Sequence, residues 1–376
     1  MKIVNQAVLS TKHLYCLDIF RVAIVFLVLF FHLNIHFSFE TNIKIIDRFV
    51  NQGAFTMSMF FMLSGFILYY LYHNNDFYKW DVLKNFLKKR ILKIYPLYII
   101  SVIFFYFIFY YKQIPLFMWG MQIIPLQAFF PATFNEFWNG GLWFISALLF
   151  SYCIFPFMSQ VLKLIKINIF VLYIIIFILC IYFTIVAAFY PETRLQLYVS
   201  PIFRSIEFFI GMVVAKLSFE YRSVKIKNIS IIFIALCCLI FLLVGGLSHS
   251  NFLNHEKFCS SYLNYNLFTI PLFSIILYLC SICKSGFLYN IAKTKICQYL
   301  SKISFAFYLG QGFTLEAIKK IYILQGNGYL RLLFDDKILF LLFASVFNII
   351  LAIVMYEFVF KQIDALLRKQ KILNYN

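Results

Sequence analysis

Two ionisable residues bracket an otherwise oily stretch, RVAIVFLVLFFH at positions 21–32. Arg21 and His32 are eleven positions apart, which in a helix is three turns plus about 20° and about 16 Å of rise, so they share one face. An ionisable group at bilayer depth costs upward of about 2.5 kcal/mol, and its default meaning is a functional site facing the interior of a helix bundle. Histidine is the side chain best suited to accept and return a proton near neutral pH. Arg21 lies near one end of the stretch, where its long stem can also carry the guanidinium out to the interface; Asp18 at i−3 is a ready partner. His32 lies too deep for that escape, and its alternative is a packing role, hydrogen-bonded between helices. His36 follows at i+4 in HLNIH, but no third ligand with recognisable spacing completes a metal site.

Other polar groups recur at helical spacing. Arg204 and Glu207 stand at i,i+3 and can pair internally, either as the wall of an acceptor cavity or as a structural ion pair. A basic run, Lys79, Lys84, Lys88, Lys89, Arg90 and Lys93, suits phosphates and equally suits anionic lipid headgroups. Within it Arg90 and Lys93 are i,i+3 at the start of an apolar segment, with Tyr95 and Pro96 setting the entry of the helix. Ser64-Gly65 is a small pair that lets helices approach closely or contributes a hydroxyl. Trp143 and Tyr308 are candidate sugar platforms, although aromatics make up 21% of the chain and most of them serve packing or the interface.

The elements that must hold these groups are membrane helices. A chain of 376 residues, 63% hydrophobic and 13% charged, with a mean hydropathy of +0.86, has too little polar surface for a soluble globule. Its net charge of +18 sits in clusters between apolar runs, which points to lipid headgroups and topology and not to a nucleic-acid partner. Nine cysteines, mostly inside apolar runs, form neither a disulfide framework nor a zinc pattern. No cleavable signal peptide is expected. At about 20 residues per crossing, the apolar runs give ten spans: 16–37, 54–72, 94–111, 142–161, 167–190, 201–218, 228–247, 265–283, 303–322 and 338–360. The proline-broken segment 114–131 is expected to be interfacial or re-entrant. With both termini cytoplasmic, roughly two-thirds of the 33 lysines and arginines fall on the inner side, as the positive-inside rule requires. The basic stretch 319–337 is the weakest part of that map. The expectation is an all-α polytopic bundle in the cytoplasmic (inner) membrane, a single unit over 1–376 with no soluble domain.

The ordered blocks of this chain resemble a known family. LDIFR followed at ten residues by His32, FFMLSGFIL (60–68), RILKIYP (90–96), GLWFISALLFSYCIFP (141–156), FRSIEFFIGMVVA (203–215) and ISFAFYLGQGF (303–313) are similar, in order, to segments of the membrane acyltransferase-3 family. The resemblance covers about residues 14–360. It implies transfer of an acyl group, usually acetyl, from cytoplasmic acyl-CoA to a cell-surface glycan, with no metal. Under it His32 is the general base or a transient acyl carrier, and Arg21 holds the donor or orients a passage through the bundle. Arg90, Lys93, Lys89 and Tyr95 contact acetyl-CoA; Arg204, Glu207, Trp143, Tyr308 and Ser64 face the glycan.

The chain also departs from the family pattern. Gln311 and Gly312 stand where many members have His-Pro, Lys93 replaces an arginine, Leu148 and Leu149 replace acidic residues, and the late Tyr-x-x-x-Glu element ends in Phe360. No fused extracellular domain at the carboxyl end is expected, in contrast to the long members of the family; a protein of polysaccharide assembly could supply that step, or none is needed. Two other readings stay open: a polytopic glycan or lipid transporter, and a degenerate partner within an assembly complex.

Overall fold

The computed structural model describes residues 13–37, 41–109, 115–132, 140–221, 226, 228–247, 260–325, 336–363 and 365. Among them every regular element is helical. In chain order these are α1 (Tyr15–Phe37), α2 (Lys44–Asn51), α3 (Thr56–Tyr72, entered through a 3₁₀ turn Gly53–Phe55), α4 (Trp80–Phe109), α5 (Leu116–Ile123), α6 (Trp143–Leu164) and α7 (Ile169–Phe189). Then follow α8 (Arg194–Val199), α9 (Pro201–Glu220), α10 (Ile229–Leu247), α11 (Ser260–Ile282), α12 (Phe287–Ala292), α13 (Lys295–Gln325) and α14 (Lys337–Val354), the last running into a π-helical turn, Met355–Phe360. The chain is an all-α polytopic membrane bundle.

Each of the ten expected spans falls on one long helix. Seven of the helices are long and apolar enough to cross a membrane by length and composition: α1, α3 with its 3₁₀ entry, α4, α6, α7, α10 and α14. Of the other three, α9 and α13 carry more polar residues, and α11 contributes a shorter apolar stretch, Asn266–Ile282. For α9 the reason is its position, since it packs against α3, α6, α7 and α11 at once. A helix whose neighbours are other helices does not need an oily surface. Ser200 caps it, accepting a hydrogen bond from the Phe203 amide, and Pro201 occupies the first turn.

Two boundaries differ from expectation. The basic run 79–93 is no loop: it forms the first half of the 30-residue α4. Pro96 therefore lies in the interior of that helix, not in its first turn. Its missing N–H is tolerated because neighbouring groups in a bundle can re-satisfy the freed carbonyl. Likewise α13 begins eight residues before the expected span, at Lys295.

The segment after α4 turns back into the bundle. Tyr98, buried at the middle of α4, donates to the Gln122 carbonyl at 2.6 Å, and Tyr95 donates to the Ile123 carbonyl at 3.0 Å. Gln127 Nε2 donates to the Leu142 carbonyl at 2.9 Å, and Ser146 Oγ accepts from the Ala128 amide at 3.2 Å. An eight-residue α5 is too short to cross about 30 Å of hydrocarbon. The segment packs back on α4 and α6, which take up part of its irregular backbone through these hydrogen bonds, as an interfacial or re-entrant piece would.

The ends of the helices are tied in two layers. At one end, Lys163 Nζ and the Asn75 carbonyl, Lys216 Nζ and the Leu162 carbonyl, Tyr278 and the Tyr221 carbonyl, and Tyr299 and Glu357 are joined by hydrogen bonds. This basic end also holds the start of α1 and of α4. At the opposite end Lys337 Nζ donates to Asn42 Oδ1 and Lys320 Nζ to the Ile108 carbonyl.

The closest crossing is between α3 and α9. A Cβ built on Gly65 would lie 1.9 Å from the Phe208 carbonyl oxygen, and one on Gly211 would lie 1.9 Å from that of Met62. Only glycine permits this contact of two backbones. Gly211→Ala is therefore expected to cost at least about 3 kcal/mol through forced separation of the two helices. Gly120→Ala, where an added Cβ meets nothing within 4 Å, is expected to be neutral. Thermal unfolding of the detergent-solubilised variants checks both.

Candidate active site

The face of α1 that carries Arg21 and His32 borders two cavities, one toward each end of the bundle. The cavity at the basic end has a volume of about 430 Å³ and is lined by Arg21, Ser64, Arg90, Lys93, Tyr152 and Lys302, among others. Arg21 is held in place from two sides. Its Nη1 donates to Ser301 Oγ at 3.1 Å and lies 4.0 Å from Asp18 Oδ1, while Ser301 Oγ donates to the same Asp18 oxygen at 2.6 Å. His13 Nε2 engages the other Asp18 oxygen at 2.6 Å. Arg90 donates to the Tyr72 hydroxyl at 2.6 Å and lies over the Tyr72 ring at 4.9 Å, which orients its guanidinium. Four cations thus converge on one chamber, three helices contributing them. Tyr356 and Phe360 of the π-helical turn close its far side.

The second cavity, about 360 Å³, is lined by His32, His36, Trp143, Tyr198, Gln311 and Glu316, together with apolar residues. The His32 and His36 rings are stacked at 6.2 Å with an interplanar angle of 26°. Among the described residues no side chain makes a hydrogen bond to the His32 ring, so the packing role weighed for it from sequence has no partner there, and the residue borders the cavity.

The cavities do not form one open passage. Tyr308 lines both, and its ring meets Phe144 at 5.0 Å and Phe60 at 6.3 Å, while Phe60 and Phe144 meet at 5.6 Å. The Tyr308 hydroxyl donates to the Gly141 carbonyl at 2.6 Å. Three rings and one hydrogen bond make a septum between the cation-lined chamber and the histidine-lined one.

A family model described as an acyltransferase domain, that of the acyltransferase-3 family, matches residues 14–357. The chain belongs to the acyltransferase-3 family. It is a membrane acyltransferase. No curated protein and no solved structure matches the chain.

Against this acyltransferase geometry the residues expected from sequence divide into groups. Arg21, Arg90 and Lys93 meet in the cation-lined chamber, and His32, Trp143 and Tyr308 border the histidine-lined one. Ser64, expected to face the glycan, lines the cation chamber instead, because it lies about two turns of α3 below the level of His32. Tyr95 is turned away from both cavities by its bond to the re-entrant segment, and Lys89 lies off the cavity lining. Tyr308 is a member of the septum and not an open platform.

Arg204 and Glu207 lie behind the wall. Both are completely buried and line neither cavity. Arg204 Nη1 donates to Glu207 Oε2 at 2.7 Å and its Nε to the Tyr198 carbonyl at 2.8 Å; Ser58 Oγ and Asn266 Nδ2 donate to Glu207 Oε1 at 2.7 and 3.1 Å. The guanidinium also sits 5.4 Å from the Trp143 ring and 5.0 Å from that of Tyr198. The pair therefore positions the two aromatic rings that do line the cavity.

Several residues of the two cavities were not singled out from sequence: Tyr152, Ser301 and Lys302 in one, Tyr198 and Glu316 in the other, while Gln311 was noted only as a departure from the family pattern. Lys302 and Glu316 carried a readable signal, being charged residues on a helix otherwise apolar enough to span.

Removing one partner of a fully buried ion pair leaves the other charge uncompensated. Arg204→Ala is expected to lose about 3–5 kcal/mol of stability. The double variant Arg204→Met, Glu207→Leu should be less damaged than the single one. Thermal unfolding in detergent reads both, and a stable Arg204→Ala would remove the pair from its positioning role.

Proposed function

We propose that this acyltransferase moves an acetyl group from cytoplasmic acetyl-CoA to a hydroxyl of a cell-surface polysaccharide or of its lipid-linked precursor. The observation that carries this reading is the pair of chambers on one face of α1, cations in one and in the other a histidine with no hydrogen-bond partner among the described residues, meeting at Tyr308. Coenzyme A is polyanionic, and Arg21, Arg90, Lys93 and Lys302 are the donors that suit its phosphates, with Arg90 already oriented by Tyr72. The basic end then faces the cytoplasm, in keeping with the positive-inside rule. Under this reading both termini lie in the cytoplasm and the enzyme in the inner membrane.

Transfer follows from these positions. With the thioester arm extended toward the septum, the sugar hydroxyl gives its proton to His32 as its oxygen bonds to the acyl carbon. The carbon–sulfur bond breaks, and coenzyme A leaves as a thiolate that takes up a proton at the basic end. His32 returns its proton to water through the other chamber. General base catalysis is favoured over an acyl-histidine relay because it needs one passage of the acyl carbon and no second covalent bond. Proteins of polysaccharide assembly would deliver the acceptor.

His32→Ala, expressed at normal level, is expected to lower acetylation by about 10²–10⁴-fold. Intact-mass analysis of surface glycan from a deletion strain carrying either form reads the change: loss of acetyl alone supports the enzyme, loss of the whole polymer indicates transport, and no change indicates a structural partner. Arg90→Ala is expected to raise the KM for acetyl-CoA about tenfold or more with a smaller effect on kcat, one charge-assisted phosphate contact being worth about 1.5–3 kcal/mol. Initial-rate measurements on the enzyme in nanodiscs separate the two constants.

A further inference from the structure

We propose that the histidine-lined chamber selects an acceptor sugar that carries no anionic group, neither carboxylate, phosphate nor sulfate. This rests on the acyl-transfer reading of that chamber and names its substrate class. Among the described residues that line it, Glu316 is the sole carboxylate, and no lysine or arginine is present. Its other polar groups are His32, His36, Gln311 and the hydroxyls of Tyr198 and Tyr308.

The nearby cations do not change that sign. Arg204 stands behind Trp143 and Tyr198 and is neutralised by Glu207 at 2.7 Å. Lys319, three positions beyond Glu316, is exposed and lies off the lining. An anionic sugar would therefore meet a carboxylate and, among the described residues of the lining, no lysine or arginine, and like-charge juxtaposition in a poorly solvated site is unfavourable.

A neutral sugar finds partners for its hydroxyls. The Glu316 carboxylate and the histidine nitrogens accept, and Gln311 adds a further acceptor. A backbone carbonyl can only accept, so the Gln311 amide nitrogen is the atom turned to the Val25 carbonyl at 3.1 Å. Its carbonyl oxygen, on a side chain that is only 3% exposed, has no hydrogen-bond partner among the described residues. A buried acceptor left without a donor is unfavourable, and a sugar hydroxyl supplies one. Trp143 and Tyr198 add aromatic edges.

The test is equilibrium binding to the full-length chain in nanodiscs. The probes are a panel of neutral pyranose oligosaccharides and the same compounds with C6 oxidised to the uronate. The neutral forms are expected to bind about tenfold tighter or more. Glu316→Gln should narrow the ratio to about threefold or less, and Glu316→Lys should invert it. Equal binding of the two forms, binding of neither, or a ratio unmoved by both substitutions overturns the proposal. Binding of neutral sugar without acetylation supports this selectivity and instead sinks the acetyl-transfer reading.

Discussion

Hydrocarbon offers no hydrogen bonds, so every polar group at membrane depth must be satisfied by the protein or line a wet cavity. That constraint organises the interior of this bundle. The tightest backbone contact, at Gly65 and Gly211, brings α3 and α9 close enough for Ser58 to reach Glu207 and Arg204. The ion pair forms along α9 itself, and Ser58 from α3 and Asn266 from α11 complete the hydrogen bonding of its carboxylate. Trp143 and Tyr198 then pack on the guanidinium, which fixes one wall of the histidine-lined chamber. Backbone sterics, a satisfied charge pair and the shape of a cavity are thus successive links of one chain of cause.

Much of this was legible beforehand. Ten apolar runs became ten long helices, since a span of about 20 residues is a strong and local signal. The polar seam on α1 was legible too, because a period of 3.6 relates Arg21 and His32 without knowledge of any other helix. Family resemblance brought Arg90 and Lys93 to the same chamber as Arg21. What escaped were relations between helices. Nothing in the spacing of Arg204 and Glu207 says whether they face the cavity or stand one layer behind it, and their full burial was decided by the Gly211 contact. Tyr95 and Ser64 were assigned to the wrong surroundings for a similar reason: one is claimed by a re-entrant segment whose prolines hid its path, the other lies below the septum. Glu316 and Gln311 took on meaning only when α13 was seen to border the same cavity as α1.

The departures from the family pattern also read differently in three dimensions. Phe360 lines the cation-lined chamber together with Tyr356, on a π-helical turn, a feature that often marks functional positions. The carboxylate of that turn is Glu357, and it is engaged at its outer face by Tyr299 at 3.1 Å and Lys361 at 2.7 Å. The chamber therefore keeps its positive character with no acidic residue of this turn inside it. Gln311, which stands where the family pattern has a histidine, lines the same cavity as His32 and His36.

The ring cluster of Phe60, Phe144 and Tyr308 has a consequence for the cell as well as for the reaction. A catalyst that joined two aqueous compartments by a standing water column would leak protons and dissipate the membrane potential. Apolar constrictions exclude water and so resist ion flow. On the proposed route, the rings at the level of Tyr308 would hold water back between turnovers, and the hydrogen bond to the Gly141 carbonyl is the one an acyl chain would have to displace.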